Sequence, residues 1–567
     1  MSMRLTDIPV VNSERLAPEL QEGLAALETD AIVRRIWERD WTVWKPVDRE
    51  ISNRLGWLSS PAAAGETLSD LEAFAASVRG VGLARAVVLG MGGSSLAPEV
   101  YARLFGTEAL SLELEVLDTT EPAAVAAAGA RFDPRKTLFV VSSKSGTTAE
   151  VLALLAYFYD RTRRELGTGH AGSRFVAITD PGTPLEALAR ELRFRRVFLG
   201  QPEIGGRFSA LSVFGLVPAA LKGIDLGRLL APARAMSEAC RIERTADNPG
   251  ALLGAILGTA ALKGMDKLTF LMPQRLKPLA GWLEQLVAES TGKEGRGIIP
   301  VVEDRPGDSG SYGGDRLFIE IGATAEPSSR LGILGPEGSG SPFVRLALDD
   351  PYDLAGHFFV WEFATAVAAH FMKINPFDQP DVESTKKRTR EVLASSGGQG
   401  IALGTDLSSF AGGMRVAPPA PAESPEGAVT RFLAGRHEGD YLAILAFLPR
   451  SAAVEGLLSG LAAGLRLKTG LPVTLGFGPR YLHSTGQLHK GDGNGGLYLM
   501  LVATGLAEVE IPAVSGISRP AADFGSLFQA QARGDALALT EKGRRVLTVE
   551  LAGPVEMAIA TLSSFFG

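Results

Sequence analysis

From about residue 80 the chain alternates short, continuous apolar runs with helical stretches, and this alternation constrains its fold more than any other feature. The runs Ala84–Leu89, Leu112–Leu117, Thr137–Val141 and Phe175–Ile178 read as strands, and Ala149–Leu166 reads as a helix between two of them. Strands that are apolar along their whole length are buried on both faces. That calls for a parallel sheet covered by helices on each side. Ligands of such sheets bind at the carboxyl ends of the strands. A second alternation begins near Gly250, with strands expected at Leu268–Met272, Gly297–Val302, Leu317–Ile321 and Phe343–Leu348 and a long helix near His357–Ile374. The segment Arg415–Gly427, carrying Pro418, Pro419, Pro421 and Pro425, reads as a linker. Beyond it, Asp440–Leu448, Leu471–Gly478 and Gly496–Ala503 suggest a smaller α/β unit.

The charge balance narrows the function. The chain has 567 residues, 46% hydrophobic and 21% charged, enough for about three domains with sizeable cores. Its net charge of -7 argues against a general nucleic-acid binder, which needs a basic stripe. An anionic ligand would need a local nest of donors instead. The single cysteine, Cys240, can form no intramolecular disulfide and suits a reducing compartment, so a cytoplasmic protein is expected. Met1–Val10 has no apolar signal core, and no run of ~18 apolar residues calls for a membrane span. Trp37, Trp41 and Trp44 recur at helical spacing and read as a packing stripe that clamps an N-terminal arm onto the body.

Two turns carry the signs of an anion site. Val87-Val88-Leu89-Gly90-Met91-Gly92-Gly93-Ser94-Ser95 runs from a strand into a glycine-rich turn, where backbone can approach an anion closely. Alone it is weak, because such turns are common. Ser142-Ser143-Lys144-Ser145-Gly146-Thr147-Thr148 places five hydroxyls, a lysine and a helix N-terminus at one strand end. An ordinary N-cap explains one hydroxyl, not five. The G-x-x-x-x-G-K-[ST] spacing is absent, so this is no Walker A loop.

The second of these turns resembles the phosphate loop of the sugar isomerase (SIS) domain. Gly90-Met91-Gly92-Gly93-Ser94 is similar to the first glycine turn of the glucose-6-phosphate isomerase family. The resemblance implies two SIS-type doubly wound parallel-sheet domains with the active site between them, plus here the smaller C-terminal α/β unit. The expected boundaries are an N-terminal helical arm at 1–60, the SIS domains at 61–235 and 236–414, the linker at 415–430 and the C-terminal unit at 431–567. It implies phosphate contacts from Gly93, Ser94, Ser143, Lys144, Ser145 and Thr148. The implied reaction belongs to glycolysis and gluconeogenesis, interconverting glucose 6-phosphate and fructose 6-phosphate through a cis-enediol(ate).

That chemistry needs a carboxylate base, a cation near the developing enediolate oxygen and groups that open the sugar ring. Gly205-Gly206-Arg207-Phe208-Ser209 resembles the family's glycine-glycine-arginine element, which implies that Arg207 stabilises the enediolate; a guanidinium stays charged and donates in a fixed plane. Gln285 and Glu289 share a helix face at i, i+4, with Gly292 expected to end that helix. Glu289-Ser290-Thr291-Gly292-Lys293 resembles the family's glutamate-serine-asparagine-glycine-lysine signature, with Thr291 where asparagine is usual. It implies Glu289 as base and Gln285 as a substrate contact. Asn375-Pro376-Phe377-Asp378-Gln379-Pro380-Asp381-Val382-Glu383-Ser384-Thr385-Lys386 resembles the C-terminal signature and implies Lys386 near the ring oxygen, although Lys387 is adjacent.

The ring-opening histidine is harder to place. Before Lys386 there are only His170, His357 and His370, and the last two fall in the expected long helix. In Leu482-His483-Ser484-Thr485-Gly486-Gln487-Leu488-His489-Lys490-Gly491, resemblance to the histidine and glycine-rich turn of bacterial members favours His489, with His483 as second choice. This segment and the Trp-rich arm with Ile51-Ser52-Asn53-Arg54-Leu55-Gly56-Trp57 are similar to the isomerase half of bifunctional transaldolase/glucose-6-phosphate isomerases. No eight-fold βα pattern precedes them, and transaldolase activity is not expected. No cofactor or metal is expected, since the six histidines lack zinc-type spacing. The expected partner is a small sugar phosphate, and a homodimer is compatible. Two alternatives stand beside the isomerase: a non-catalytic SIS module that binds sugar phosphates, and an isomerase that also accepts mannose 6-phosphate.

Overall fold

The computed structural model describes residues 10–11, 13–106, 111–302, 312–325, 340–396, 408–409, 414–417 and 424–566. Within them the chain is α/β and builds three sheets. The first is wholly parallel, in the order Glu113–Leu117, Arg85–Gly90, Thr137–Ser142, Phe175–Thr179, Arg196–Leu199. Its central strands are buried throughout apart from Arg85, as unbroken apolar runs demand. The chain enters at Arg85–Gly90, then goes to opposite sides of that strand for its next two. The switch point therefore lies between Arg85–Gly90 and Thr137–Ser142, where a doubly wound sheet opens a crevice. Both candidate anion turns leave the carboxyl ends of these two strands.

The second sheet has the order Val10–Val11, Phe343–Ala347, Arg316–Gly322, Lys267–Leu271, Ile299–Val302, parallel except for the Val10–Val11 edge. The helices Leu226–Ala239, Pro249–Leu262, Lys277–Thr291 and Leu354–Met372 pack between the two sheets. One apolar core runs from Leu16 to Phe377 without a break, so the first two units share a core. A domain boundary at 235 falls inside the Leu226–Ala239 helix, which lies against Leu354–Met372.

The N-terminal arm is held by its tryptophans. Trp37 Nε1 donates to the Cys240 carbonyl and Trp44 Nε1 to that of Ala366, each at 2.8 Å. Trp57 is fully buried, its ring 5.3 Å from that of Phe208, the residue after Arg207. Aromatic pairs contribute ~0.5–1.5 kcal/mol each beyond area burial.

The third sheet has the order Ser408–Ser409, Met414–Ala417, Arg545–Ala552, Gly496–Thr504, Tyr441–Phe447, Val473–Phe477. Part of the segment expected as linker therefore belongs to it. Met414–Ala417 pairs antiparallel with Arg545–Ala552, burying Met414 and Val416 and leaving Arg415 and Ala417 partly exposed. Period-2 burial of this kind defines a half-buried strand. Pro425 opens the Pro425–Ala434 helix, where a missing N–H costs nothing, and Ser424 Oγ caps it by accepting from Gly427 N. Pro418, Pro419 and Pro421 lie outside the described residues. The C-terminal unit buries Ile511, Ile517, Phe524 and Leu527 against the first unit, while Phe447, Tyr481, Tyr498 and Phe528 cluster with Ala288, Ile299 and Val301 of the second. It is wedged against both.

Candidate active site

Four elements meet at the switch point. The turn after Arg85–Gly90 passes so close to Gly205-Gly206 that a Cβ on Gly93 would overlap the Gly206 carbonyl. Only glycine permits that approach, and it brings Arg207 to the crevice. A Cβ on Gly92 would sit 2.9 Å from Gln285 Nε2 and 3.0 Å from the His483 carbonyl oxygen. First, second and C-terminal units converge at that point.

Arg207 is 2% exposed, and its donors are fully committed. Nε donates to Ser290 Oγ at 2.8 Å, Nη1 to Gln379 Oε1 at 3.0 Å, and Nη2 to the carbonyls of Pro376 at 2.5 Å and Asp378 at 3.0 Å. Burial lowers its pKa, against the opposing charges of Glu289 and Asp378. Glu289 Oε1 lies 3.1 Å from Nη1, and its Oε2 accepts from Gln285 Nε2 at 3.0 Å. The i, i+4 pairing expected for Gln285 and Glu289 therefore holds. The Lys277–Thr291 helix ends at Gly292 and leaves Glu289 in its last turn. Gln285 Nε2 also donates to the His483 carbonyl at 2.8 Å, while its buried Oε1 has no hydrogen-bond partner.

The Ser143–Thr148 loop forms a cradle. Ser143 Oγ and Thr148 Oγ1 are 3.0 Å apart, as are Ser145 Oγ and Thr147 Oγ1. The N-cap residue Thr148 makes no side-chain cap on the Ala149–Leu166 helix, so the start of that helix, where amides lack intrahelical partners, borders the cradle. The Lys144 ammonium departs from expectation: it bonds Asp180 and the Gln201 carbonyl, away from the hydroxyls. A half-buried cation takes the nearest carboxylate, and partial burial lowers its pKa despite that partner. Ser94 is buried beside Gly93, with its N–H on the Met91 carbonyl.

The two candidate histidines lie in different surroundings. His489 is 2% exposed, packed 5.8 Å from the Tyr481 ring and 5.1 Å from that of Tyr498, with Nδ1 unpaired. Burial, then Lys490 and Arg544, push its pKa well below the usual value. It is a neutral core residue. His483 lies beside the cradle helix, with its carbonyl on Gln285. Its Nε2 lies 2.9 Å from Glu150 Oε1, in the first turn of the cradle helix. Burial, the largest effect, works to raise the Glu150 pKa, but His483, the Glu150 backbone N–H and Lys386 together turn the net shift downward. Helical packing separates the two histidines: His483 ends the short Arg480–His483 turn, while His489 lies inside Gly486–Gly491.

Lys386 sits on the Val382–Ser396 helix with its side chain half-exposed. It bonds Glu383 Oε1 at 2.7 Å, yet it is near enough to Glu150 to help lower that pKa. Lys387 faces Glu391 at 3.9 Å. Residues not singled out from the sequence complete the site: Glu150, Lys293, Asp378 and Gln379. The buried Lys293 ammonium bonds the Asp378 carbonyl at 2.5 Å and its carboxylate at 2.9 Å, tying the loop that holds Arg207. Burial and then Arg207 lower its pKa to about 8, against the pull of Asp378. All four lie inside or beside the motifs quoted above, whose density was their only signal. Among the described residues no cluster of three or more His, Cys, Asp or Glu is arranged to hold a metal ion.

Two SIS-type units with a cradle, a cation and a carboxylate between them define a sugar-phosphate isomerase architecture. Comparison with known proteins makes this specific. The family model described as phosphoglucose isomerase matches residues 75–299. A glucose-6-phosphate isomerase of Carboxydothermus hydrogenoformans is 31% identical over 447 residues, covering 69% of this chain and 93% of its own. One from Geobacter sp. is 28% identical over 69% of this chain and 82% of its own. Among solved structures, a hypothetical protein of Thermus thermophilus superposes with a TM-score of 0.58 at 26% identity, over 68% of this chain and all of that one. A glucose-6-phosphate isomerase of Chlamydia trachomatis shares the fold, with a TM-score of 0.57 at 20% identity over 67% of this chain and 86% of its own. The chain belongs to the glucose-6-phosphate isomerase family.

Proposed function

We propose that this chain interconverts glucose 6-phosphate and fructose 6-phosphate through a cis-enediolate. The observation that carries the mechanism is the convergence of Glu289, Arg207 and His483 from three units beside the hydroxyl cradle. A module that only bound sugar phosphates would need the cradle and not the Arg207–Glu289 pair.

The phosphate sits among Ser143, Ser145 and Thr148 at the open helix N-terminus, with Gly93 and Ser94 bounding the crevice. Because the Glu150 carboxylate can only accept, His483 carries its proton on Nε2. Its Nδ1 is then the nitrogen that exchanges a proton with substrate, assisted by the Lys386 ammonium, as the ring opens. Glu289 moves the proton between C2 and C1. Arg207 stabilises the negative oxygen of the enediolate through its fixed positive charge, its N–H donors being held by the protein, so little reorganisation accompanies reaction. Gln285 Oε1 accepts from a substrate hydroxyl. The single cysteine favours a reducing compartment, and on that ground we place the enzyme in the cytoplasm. Among the described residues no helix is long and apolar enough to cross a membrane.

The test is conversion of fructose 6-phosphate to glucose 6-phosphate by the purified chain, with and without chelator. Equal conversion in both is expected. No conversion, or conversion abolished by chelator, would overturn the mechanism.

A further inference from the structure

The contacts of the histidine turn lead to a side chain with no role so far. Gln531 lies within the Phe524–Glu541 helix of the C-terminal unit and is 3% exposed. Its Nε2 donates to Glu150 Oε1 at 2.7 Å, the same oxygen that His483 Nε2 meets at 2.9 Å. Its Oε1 accepts at 2.7 Å from Oγ1 of Thr120, a fully buried residue of the first unit. The polarity of this chain is dictated chemically. A carboxylate only accepts, so the amide must turn its NH2 to Glu150, and the hydroxyl must then donate to the amide oxygen. Thr120, Gln531, Glu150 and His483 form one line of hydrogen bonds that alternates between the first and C-terminal units.

We propose that Gln531 is a positioning residue for ring opening, holding the Glu150 carboxylate, and through it the His483 imidazole, in one orientation and one tautomer. The proposal rests on His483 being the ring-opening group. Without the amide, Glu150 keeps its charge but loses a fixed donor. The carboxylate can then rotate, and the imidazole bonded to it follows. The loss falls on the step that needs an aimed imidazole. The C1–C2 proton transfer belongs to Glu289 and the phosphate to the cradle, and neither touches Gln531.

The experiment compares two substrates. Fructose 6-phosphate must open its ring. A tetrose 4-phosphate cannot close one, because its C4 oxygen is esterified, and its C2 proton exchange reports the proton transfer alone. Turnover of fructose 6-phosphate by Gln531→Leu should fall about 10-fold, with KM and tetrose exchange within about twofold of the parent. Thr120→Val, which removes the donor that orients the amide, should lose about threefold on fructose 6-phosphate, and Thr120→Ser, which keeps it, should match the parent. His483→Ala is run alongside. If it turns over fructose 6-phosphate like the parent, the reading of His483 fails and this proposal with it. If His483→Ala is impaired while Gln531→Leu is not, or loses equally on both substrates, Gln531 has no positioning role and His483 keeps its own. Should Gln531→Leu not fold, the threonine pair decides: equal rates for the valine and serine variants overturn the proposal.

Discussion

Arg207 Nη1 meets Glu289 Oε1 at 3.1 Å, an ion pair joining the first unit to the second inside the crevice. Gln285 holds the other carboxylate oxygen. The proposed base is therefore held at both oxygens by the protein itself. The cation that fixes it is itself tied to the Pro376–Gln379 loop. Such pre-positioning lets charge develop in the transition state without rearrangement of the site.

Replacing the base while keeping its shape tests this directly. Glu289→Gln should lower turnover about 10²-fold or more, the usual scale of acid–base catalysis. A substrate-like aldonate phosphate should still bind within a few-fold by calorimetry. Near-parental turnover would reject Glu289.

The two histidines should separate cleanly. His483→Ala should slow fructose 6-phosphate turnover more than proton exchange on an open-chain substrate. His489→Ala should instead cost about 2–3 kcal/mol of stability, from the cavity left between Tyr481 and Tyr498. Its turnover per folded molecule should stay near parental. Urea denaturation and steady-state kinetics on both variants check the pair, and the opposite pattern would restore His489 to the site.

Ser145 and Thr148 are proposed to bind phosphate alone. Changing both to Ala should raise KM for fructose 6-phosphate more than it lowers turnover, because uniform binding is lost. Inhibition by inorganic phosphate should weaken in parallel. An unchanged KM would mean that the phosphate binds elsewhere.

Glu284 gives a stability prediction with a defined sign. It precedes Gln285 on the helix and faces Arg480, which also pairs with Glu99 and Asp118. Burial pushes its carboxyl from 4.5 up to about 7, against the pull of Arg480. Between those values the folded state binds more protons than the unfolded state, so stability falls as pH rises through the window. Glu284→Gln should therefore be more stable than the parent at about pH 8, by up to ~3 kcal/mol. The gap should close as pH falls toward 4.5. Melting curves at both ends of the window check this, and a pH-independent gap would contradict it.

Local sequence was enough to establish the α/β layering, the order of the motifs and the chemistry of each turn. Those properties are written in short stretches: unbroken apolar runs make buried parallel strands, and hydroxyls around a helix start make an anion cradle. Gly93, Ser143, Arg207 and Glu289 could be nominated from sequence because each lies in a motif of several residues. What faces what was settled by packing over long distances. His483 and His489 have similar neighbours in sequence, and which one reaches the crevice depends on the Arg480–His483 turn meeting Gly92 while the next helix packs inward among tyrosines. Lys144 turns to Asp180, a partner supplied by a later loop. The proline-rich segment hides a strand, because its pairing partner, Arg545–Ala552, lies far along the chain. Glu150 and Gln531 come from different units and meet at one carboxylate oxygen. Contacts of that kind are set by how buried surfaces dock, and no local spacing encodes them.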